Sequence, residues 1–267
     1  MKKVGFNLKI ITPLFMGGAS KQPELRTQSF NGVIRHWLRL LVANKDIENK
    51  IFGIANRNES RKGSVKIEIG NQTKINLSTI FDICFYFNPL LQKDYIKIFL
   101  CAFWCSLFIG NFGAKTRIGC GSLIPIEAPN QIIEDFDLKF TFGNEIQNED
   151  QLIKWYKDQL DKIKKVVENK KVNIDAPIIF KNLCGYLLGN NKQQNNKHQN
   201  FLSSLKKSKE SKWNRKTVNY IFLKKILVNK NEYWIIWGFK DVLKENHLWD
   251  DFQQKVKGLK NIVKYGE

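Results

Sequence analysis

Apolar and polar residues alternate at the start of the chain. Val4, Phe6, Leu8 and Ile10 fall on one phase, and Lys3, Gly5, Asn7 and Lys9 on the other. That period of two predicts a strand with one buried face. Thr12 and Pro13 end it, and a glycine loop follows at residues 16–20. Ser29 is placed to cap the next segment. Over residues 30–43 the spacing turns helical, with Val33, Ile34, Trp37, Leu38 and Leu41 on one stripe, so Trp37 belongs to the core. Arg35 and Arg39, four apart, share another face of that helix.

Residues 63–70 (GSVKIEIG) alternate again and predict a second strand. Residues 80–87 (IFDICFYF) are β-branched and aromatic and predict a third. Residues 94–112 are apolar on every side, and their length favours a buried helix. A second glycine loop occupies residues 113–121. A short strand at 122–126 ends at Glu127, Ala128 and Pro129, and another strand is predicted at 137–142. The fold class is therefore α+β. Its first domain, residues 1–145, has the βαββαβ order of a ferredoxin-like (RRM-like) unit. Many unrelated proteins share that order, so it does not choose a function.

The second half is less regular. Residues 151–171 are helical and strongly charged. Residues 190–200 (NNKQQNNKHQN) are polar and low in complexity, which predicts a flexible loop. Strands are expected at 219–228 and 233–239 around a turn at 229–232, and the last 27 residues look helical. The simplest account is a second, irregular α+β domain over residues 146–267, open to a degenerate ferredoxin-like reading, with a basic insertion at 190–216.

Charge narrows the picture. The chain carries 44 Lys and Arg against 25 Asp and Glu, a formal net charge of +19, and such a field attracts polyanions. Residues 190–230 alone hold eleven basic side chains and one acid, Glu210. There Lys206, Lys207 and Lys209 lie near Trp213, Arg215 and Tyr220, a mixture that suits single-stranded RNA and equally a solvated basic loop. The apolar stretch 96–112 is short for a membrane span, and no secretory leader pattern opens the chain. Five cysteines without a CxxC or Cys/His pairing argue against a disulfide framework and a zinc site. Together these features point to a cytoplasmic protein. No Walker motif, acidic metal cluster or Ser/His/Asp arrangement is present, and no cofactor is expected.

The run over residues 12–41, TPLFMGGASKQPELRTQSFNGVIRHWLRLL, carries a resemblance. A strand ending in TPLF, a Gly-Gly turn, a PELR element and a helix with an R-x-W-x-R core resemble the RAMP superfamily. Within it they resemble the family of first subunits of the type III-B CRISPR (Cmr) effector complex. Residues 113–123, GAKTRIGCGSL, resemble that family's glycine-rich loop and occupy the same slot between the second helix and the fourth strand. The two segments cover about 40 residues. Residues 130–267 carry no recognised signature. Two departures stand out. The loop has Lys115, Thr116, Arg117 and Ile118 where a further basic residue is common, and His36 stands where an aromatic is usual.

The resemblance implies a non-catalytic RNA-binding subunit near the 3′ region of the guide RNA. Its partners would be guide (CRISPR) RNA, target RNA and other RAMP subunits, in antiviral defence. Residue by residue it points to Gly17, Gly18, Arg26, Arg35, Arg39, Lys115, Arg117, Gly119 and Gly121 as the RNA contacts. Glycines allow tight turns that expose successive N–H groups as an anion nest, although an ordinary hairpin turn has the same composition. Arg35 and Arg39 suit either a phosphate path or a solvated helix face. The competing function is a metal-independent guide-RNA-processing endoribonuclease of the same superfamily, with His36 as its general acid or base.

Overall fold

The computed structural model describes residues 2–17, 24–55, 59–70, 75–116, 119–129, 135–168, 178–189, 221–245 and 247–264. The first half comprises β1 (Lys2–Ile10), α1 (Thr27–Val42), α2 (Lys45–Phe52), β2 (Gly53–Ala55), β3 (Ser60–Lys62), β4 (Val65–Ile69), β5 (Ile80–Phe87), α3 (Lys93–Phe108) and β6 (Leu123–Pro125). The second comprises α4 (Glu149–Val167), α5 (Ile178–Asn182), β7 (Leu183–Gly189), β8 (Ile221–Val228), β9 (Asn231–Phe239), α6 (Lys240–Glu245), α7 (Trp249–Val256) and β10 (Lys260–Lys264).

β1 is the strand that the alternation predicts. Val4, Phe6, Leu8 and Ile10 are buried, and the strand pairs antiparallel with β5 (Phe6 opposite Ile83) and with β6 (Lys9 opposite Ile124). The sheet order is β4-β5-β1-β6, which is the order of a ferredoxin-like βαββαβ unit. α1 and α3 cover its inner face. α3 is buried all round because it has neighbours on every side. Phe103 packs on Phe6 with ring centroids 5.0 Å apart, Phe99 on Phe85 at 5.0 Å, and Trp104 on Trp155 of α4 at 5.8 Å.

The second half repeats the plan. Its sheet order is β10-β7-β9-β8, all antiparallel. Numbered by chain order, both sheets run fourth, first, third, second. One apolar cluster joins them, running from Val4 to Val263.

Several local expectations are corrected. Ser29 is not the cap of α1. The helix starts at Thr27, and the first turn closes on the Arg26 carbonyl, which accepts from the amides of Ser29 and Phe30. The helix predicted over 94–112 stops at Phe108. The chain then turns at Gly110, where any side chain would collide with the Trp37 indole. Residues 137–142 are not a strand. The Lys139 amide donates to Gln159 Oε1 (2.8 Å) and its carbonyl accepts from Trp104 Nε1 (3.0 Å), so side chains take the place of a neighbouring strand. The last 27 residues are helical only to Val256. Gly258 takes φ +82°, and residues 260–264 then add β10 to the edge of β7. The short elements α2, β2, β3 and β7 come from the structure alone. The basic insertion at 190–216, with Lys206, Lys207, Lys209, Trp213 and Arg215, lies outside the described residues, as does Tyr220. Among the described residues, no helix is long and apolar enough to cross a membrane.

Candidate nucleic-acid interface

The arm that leaves β1, residues 12–17, lies against the second glycine loop. Pairing between them is dense. The Thr12 hydroxyl accepts from the Ser122 amide (2.8 Å), the Pro13 carbonyl from the Gly121 amide (2.8 Å), and the Phe15 carbonyl from the Ala114 amide (2.7 Å). Phe15 and Ala114 form an antiparallel bridge.

The glycines are required by this pairing. Gly113, Gly119 and Gly121 have φ of +80°, +82° and +78°, a left-handed region that other residues enter only at a cost. A Cβ on Gly113 would stand 2.5 Å from the Phe15 carbonyl oxygen. One on Gly119 would stand 2.6 Å from the Trp234 ring, and one on Gly121 would overlap the Phe112 carbonyl. Three of the loop's N–H groups are taken up within the protein and are not free for an anion. Those of Ala114 and Gly121 donate to the arm, and that of Gly119 donates to Thr116 (3.1 Å). Burying the glycine backbone against the arm is what turns those amides inward.

Thr12, Leu14 and Met16 of the arm are buried, but Phe15 and Lys115 face out. Phe15 is 44% exposed, and the Lys115 ammonium lies 4.4 Å from its ring centroid, within cation–π range. Lys115 itself has φ +58°, in the left-handed region. Gly17 is exposed and its carbonyl accepts from Arg26 (3.1 Å), which also pairs with Glu24 (3.2 Å). Gly17, Arg26, Lys115, Gly119 and Gly121 thus share one junction between arm and loop. Gly18 and Arg117 lie outside the described residues.

Arg35 and Arg39 form a separate cluster, about 14 and 20 Å along the helix axis from Arg26. Both converge on Glu48 of α2. Arg39 holds the carboxylate bidentately (2.7 and 2.6 Å), and Arg35 Nε reaches it at 2.6 Å. Arg35 also donates to the Gly53 carbonyl (3.0 Å) and lies over the Phe52 ring. The Arg39 hydrogen bond, with help from Arg35, pulls the Glu48 pKa below its ordinary value. Two cations therefore share one anion, leaving a single net positive charge there.

His36 is at the surface beside Trp37, with its pKa lowered by desolvation and by the Arg39 charge. Trp37 is in the core, as its stripe predicts, packed on Phe222 and Phe239 of the second sheet. Among the described residues, no cluster of three or more His, Cys, Asp or Glu could hold a metal.

Sequence reasoning missed what holds the loop from behind. Asn111 donates to the Thr116 carbonyl (2.9 Å) and to the Leu223 carbonyl of β8 (2.9 Å), while its oxygen accepts from Ser122 (2.7 Å). Lys224 of β8 is fully buried. Its Nζ donates to the Gly110 carbonyl (2.9 Å) and reaches Asn111 Oδ1 at 3.4 Å. Burial drives its pKa well below the usual lysine value. The signal was present: Lys224 shares its phase with buried Ile226 and Val228. Phe15 was also overlooked as an exposed aromatic, although it stands in the TPLF motif.

Residues 7–124, which contain the arm, α1, the glycine loop and β6, match the RAMP superfamily. The Cmr subunit Cmr1-2 of Pyrococcus furiosus is 28% identical over 173 residues, covering 44% of this chain and 92% of the relative. Cmr1-1 of the same organism is 24% identical over 197 residues, covering 58% of this chain and 56% of the relative. In fold, the apo crystal structure of P. furiosus Cmr1 aligns over 100% of both chains with a TM-score of 0.69 and 18% identity. A chain in the cryo-EM structure of the type III-B Cmr-β complex bound to cognate target RNA aligns over 95% of this chain and 99% of that one. Its TM-score is 0.61 and its identity 13%. The matched motifs, the two Cmr1 relatives and the shared fold make this chain similar to Cmr1 subunits, with the RAMP superfamily match spanning residues 7–124.

Proposed function

We propose that this chain is a non-catalytic, RNA-binding subunit of a cytoplasmic type III-B CRISPR (Cmr) ribonucleoprotein complex. It contacts guide RNA toward the 3′ region, helps to capture target RNA for antiviral defence, and assembles with other RAMP subunits. The observation that carries this reading is the Phe15–Lys115 pair, exposed on the bridge between arm and glycine loop. An aromatic face for a base and a cation for a phosphate sit there on rigidly paired backbone, which is what single-strand contact needs. Likeness to Cmr1 relatives and to a chain of an RNA-bound Cmr complex supports the same reading. Gly17, Arg26, Gly119 and Gly121 shape the contact, with Gly18 and Arg117 as further contributors. Arg35 and Arg39, tied to Glu48, contribute a weaker field. Recognition follows the backbone, because pairing between guide and target supplies sequence specificity.

The test combines binding and cleavage of labelled single-stranded RNA across a salt series. Retention should fall steeply with salt, and the RNA should stay intact. Lys115→Ala should weaken binding and reduce the slope of log K against log salt by about 0.7. Phe15→Ala should weaken binding without changing the slope. Binding indifferent to salt would refute the reading. Discrete cleavage abolished by His36→Ala would replace it with the endoribonuclease.

A further inference from the structure

The outward face of the first sheet carries a cluster that the glycine-loop junction does not use. Side chains alternate across a strand. With Val4, Phe85 and Phe87 committed to the core, Lys3, Tyr86 and Lys66 face the opposite way. The register places them in one row over three strands, Lys3 opposite Tyr86 and Lys66 opposite Tyr86. The two ammonium groups lie 5.6 and 5.9 Å from the Tyr86 ring centroid. Lys66 pairs with Glu68 at 2.5 Å, and that carboxylate raises the Tyr86 pKa. Lys3, Lys66 and Glu68 are exposed, and Tyr86 is half-buried. The next outward position on β1 is Gly5, so β1 puts no side chain against the ring from that side.

We infer that this row is a second RNA contact, where one unpaired base of a single strand stacks on Tyr86 and the neighbouring phosphates pair with Lys3 and Lys66. The inference rests on the RNA-binding reading above but concerns a different place. Lys3 is seven residues from Ile10 along β1, about 23 Å from the arm. An aromatic face accepts any base, so the site is sequence-tolerant. A duplex keeps its bases stacked on one another and cannot offer one to the ring. Two cations on either side of Tyr86, two strand spacings or about 10 Å apart, meet the backbone that flanks a stacked base. Glu68 leaves the row with one net positive charge. It remains an acceptor for a ribose 2′-hydroxyl or an exocyclic amine.

The experiment measures binding of the full chain to one labelled oligoribonucleotide, as a single strand and as a duplex, in about 50 mM salt. Tyr86→Ala should weaken single-strand binding about tenfold and leave duplex binding unchanged. Tyr86→Phe should stay within about twofold of the natural chain, because the ring is kept. Lys3→Ala with Lys66→Ala should lower the salt slope by about 1.4, and this pair decides the matter if Tyr86→Ala fails to fold. The effects of Tyr86→Ala and Lys115→Ala should add in free energy, as they do for separated sites. Unchanged single-strand affinity in Tyr86→Ala and in the double lysine variant would overturn this site and leave the glycine-loop reading standing. A natural chain that binds no RNA would overturn both.

Discussion

Lys224→Met tests how the second sheet holds the glycine loop. Methionine keeps the unbranched shape and removes the amino group. The Gly110 carbonyl then loses its 2.9 Å donor, which costs about 1–3 kcal/mol for a buried acceptor left bare. Asn111 Oδ1 keeps its bond from Ser122. Against that loss stands the energy spent keeping a lysine out of water. The folded pKa lies well below the unfolded value of 10.5. Between those two values the unfolded chain binds one more proton than the folded chain. Stability therefore rises with pH in that window, by about 1.4 kcal/mol for each pH unit, and levels off above the ordinary lysine value. Methionine has nothing to titrate and lacks the slope. The assay is urea unfolding of the natural chain, Lys224→Met and the exposed control Lys157→Met at several pH values from 7 to 10, above the range where His36 titrates. The natural chain and Lys157→Met should gain stability with pH together, while Lys224→Met stays flatter and falls behind as pH rises. Parallel slopes for all three would refute the claim that Lys224 is held at the seam with its proton disfavoured.

Two other perturbations follow from the same geometry. Gly32, inside α1, has nothing within 4 Å of an added Cβ, so Gly32→Ala should stabilise by about 0.5–1 kcal/mol; Gly121→Ala, at φ +78° and against the Phe112 carbonyl, should lower the thermal midpoint sharply, and equal effects of the two would contradict the loop geometry. Glu48→Gln removes the shared anion of Arg35 and Arg39. It should cost about 1 kcal/mol at neutral pH, since Arg39 is largely exposed and screened. The folded Glu48 pKa is depressed, so this contribution is present above the ordinary glutamate value and lost as pH falls through the folded one. Urea midpoints that separate below pH 4 rather than above pH 5 would contradict the pairing.

The strands and helices of the first half were legible because each has a one-sided environment. β1 buries Val4, Phe6, Leu8 and Ile10 and α1 buries one stripe, so a period of two or of 3.6 marks them directly. α3 has no polar face, and length alone identified it. Residues 137–142 alternate like a strand, yet Gln159 and Trp104, distant in sequence, take their backbone groups. β10 was hidden because five residues at a sheet edge carry little periodic signal, and Gly258 alone marks the break before it. The glycine loop and the TPLF arm were legible as motifs, since glycine composition reflects backbone conformation.

The amino-acid sequence by itself determined the order of the first unit's elements, the basic character of the chain and the position of the glycine loop. Those follow from local periodicity, local backbone freedom and summed charge. Only the tertiary structure decided what each charged or polar group faces. It turned the Ala114 and Gly121 amides inward to the arm, paired Arg35 and Arg39 with one glutamate, left Phe15 under Lys115, and buried Lys224 behind the loop. Each of those outcomes depends on partners from separate segments of the chain, and no local pattern records which of them will meet.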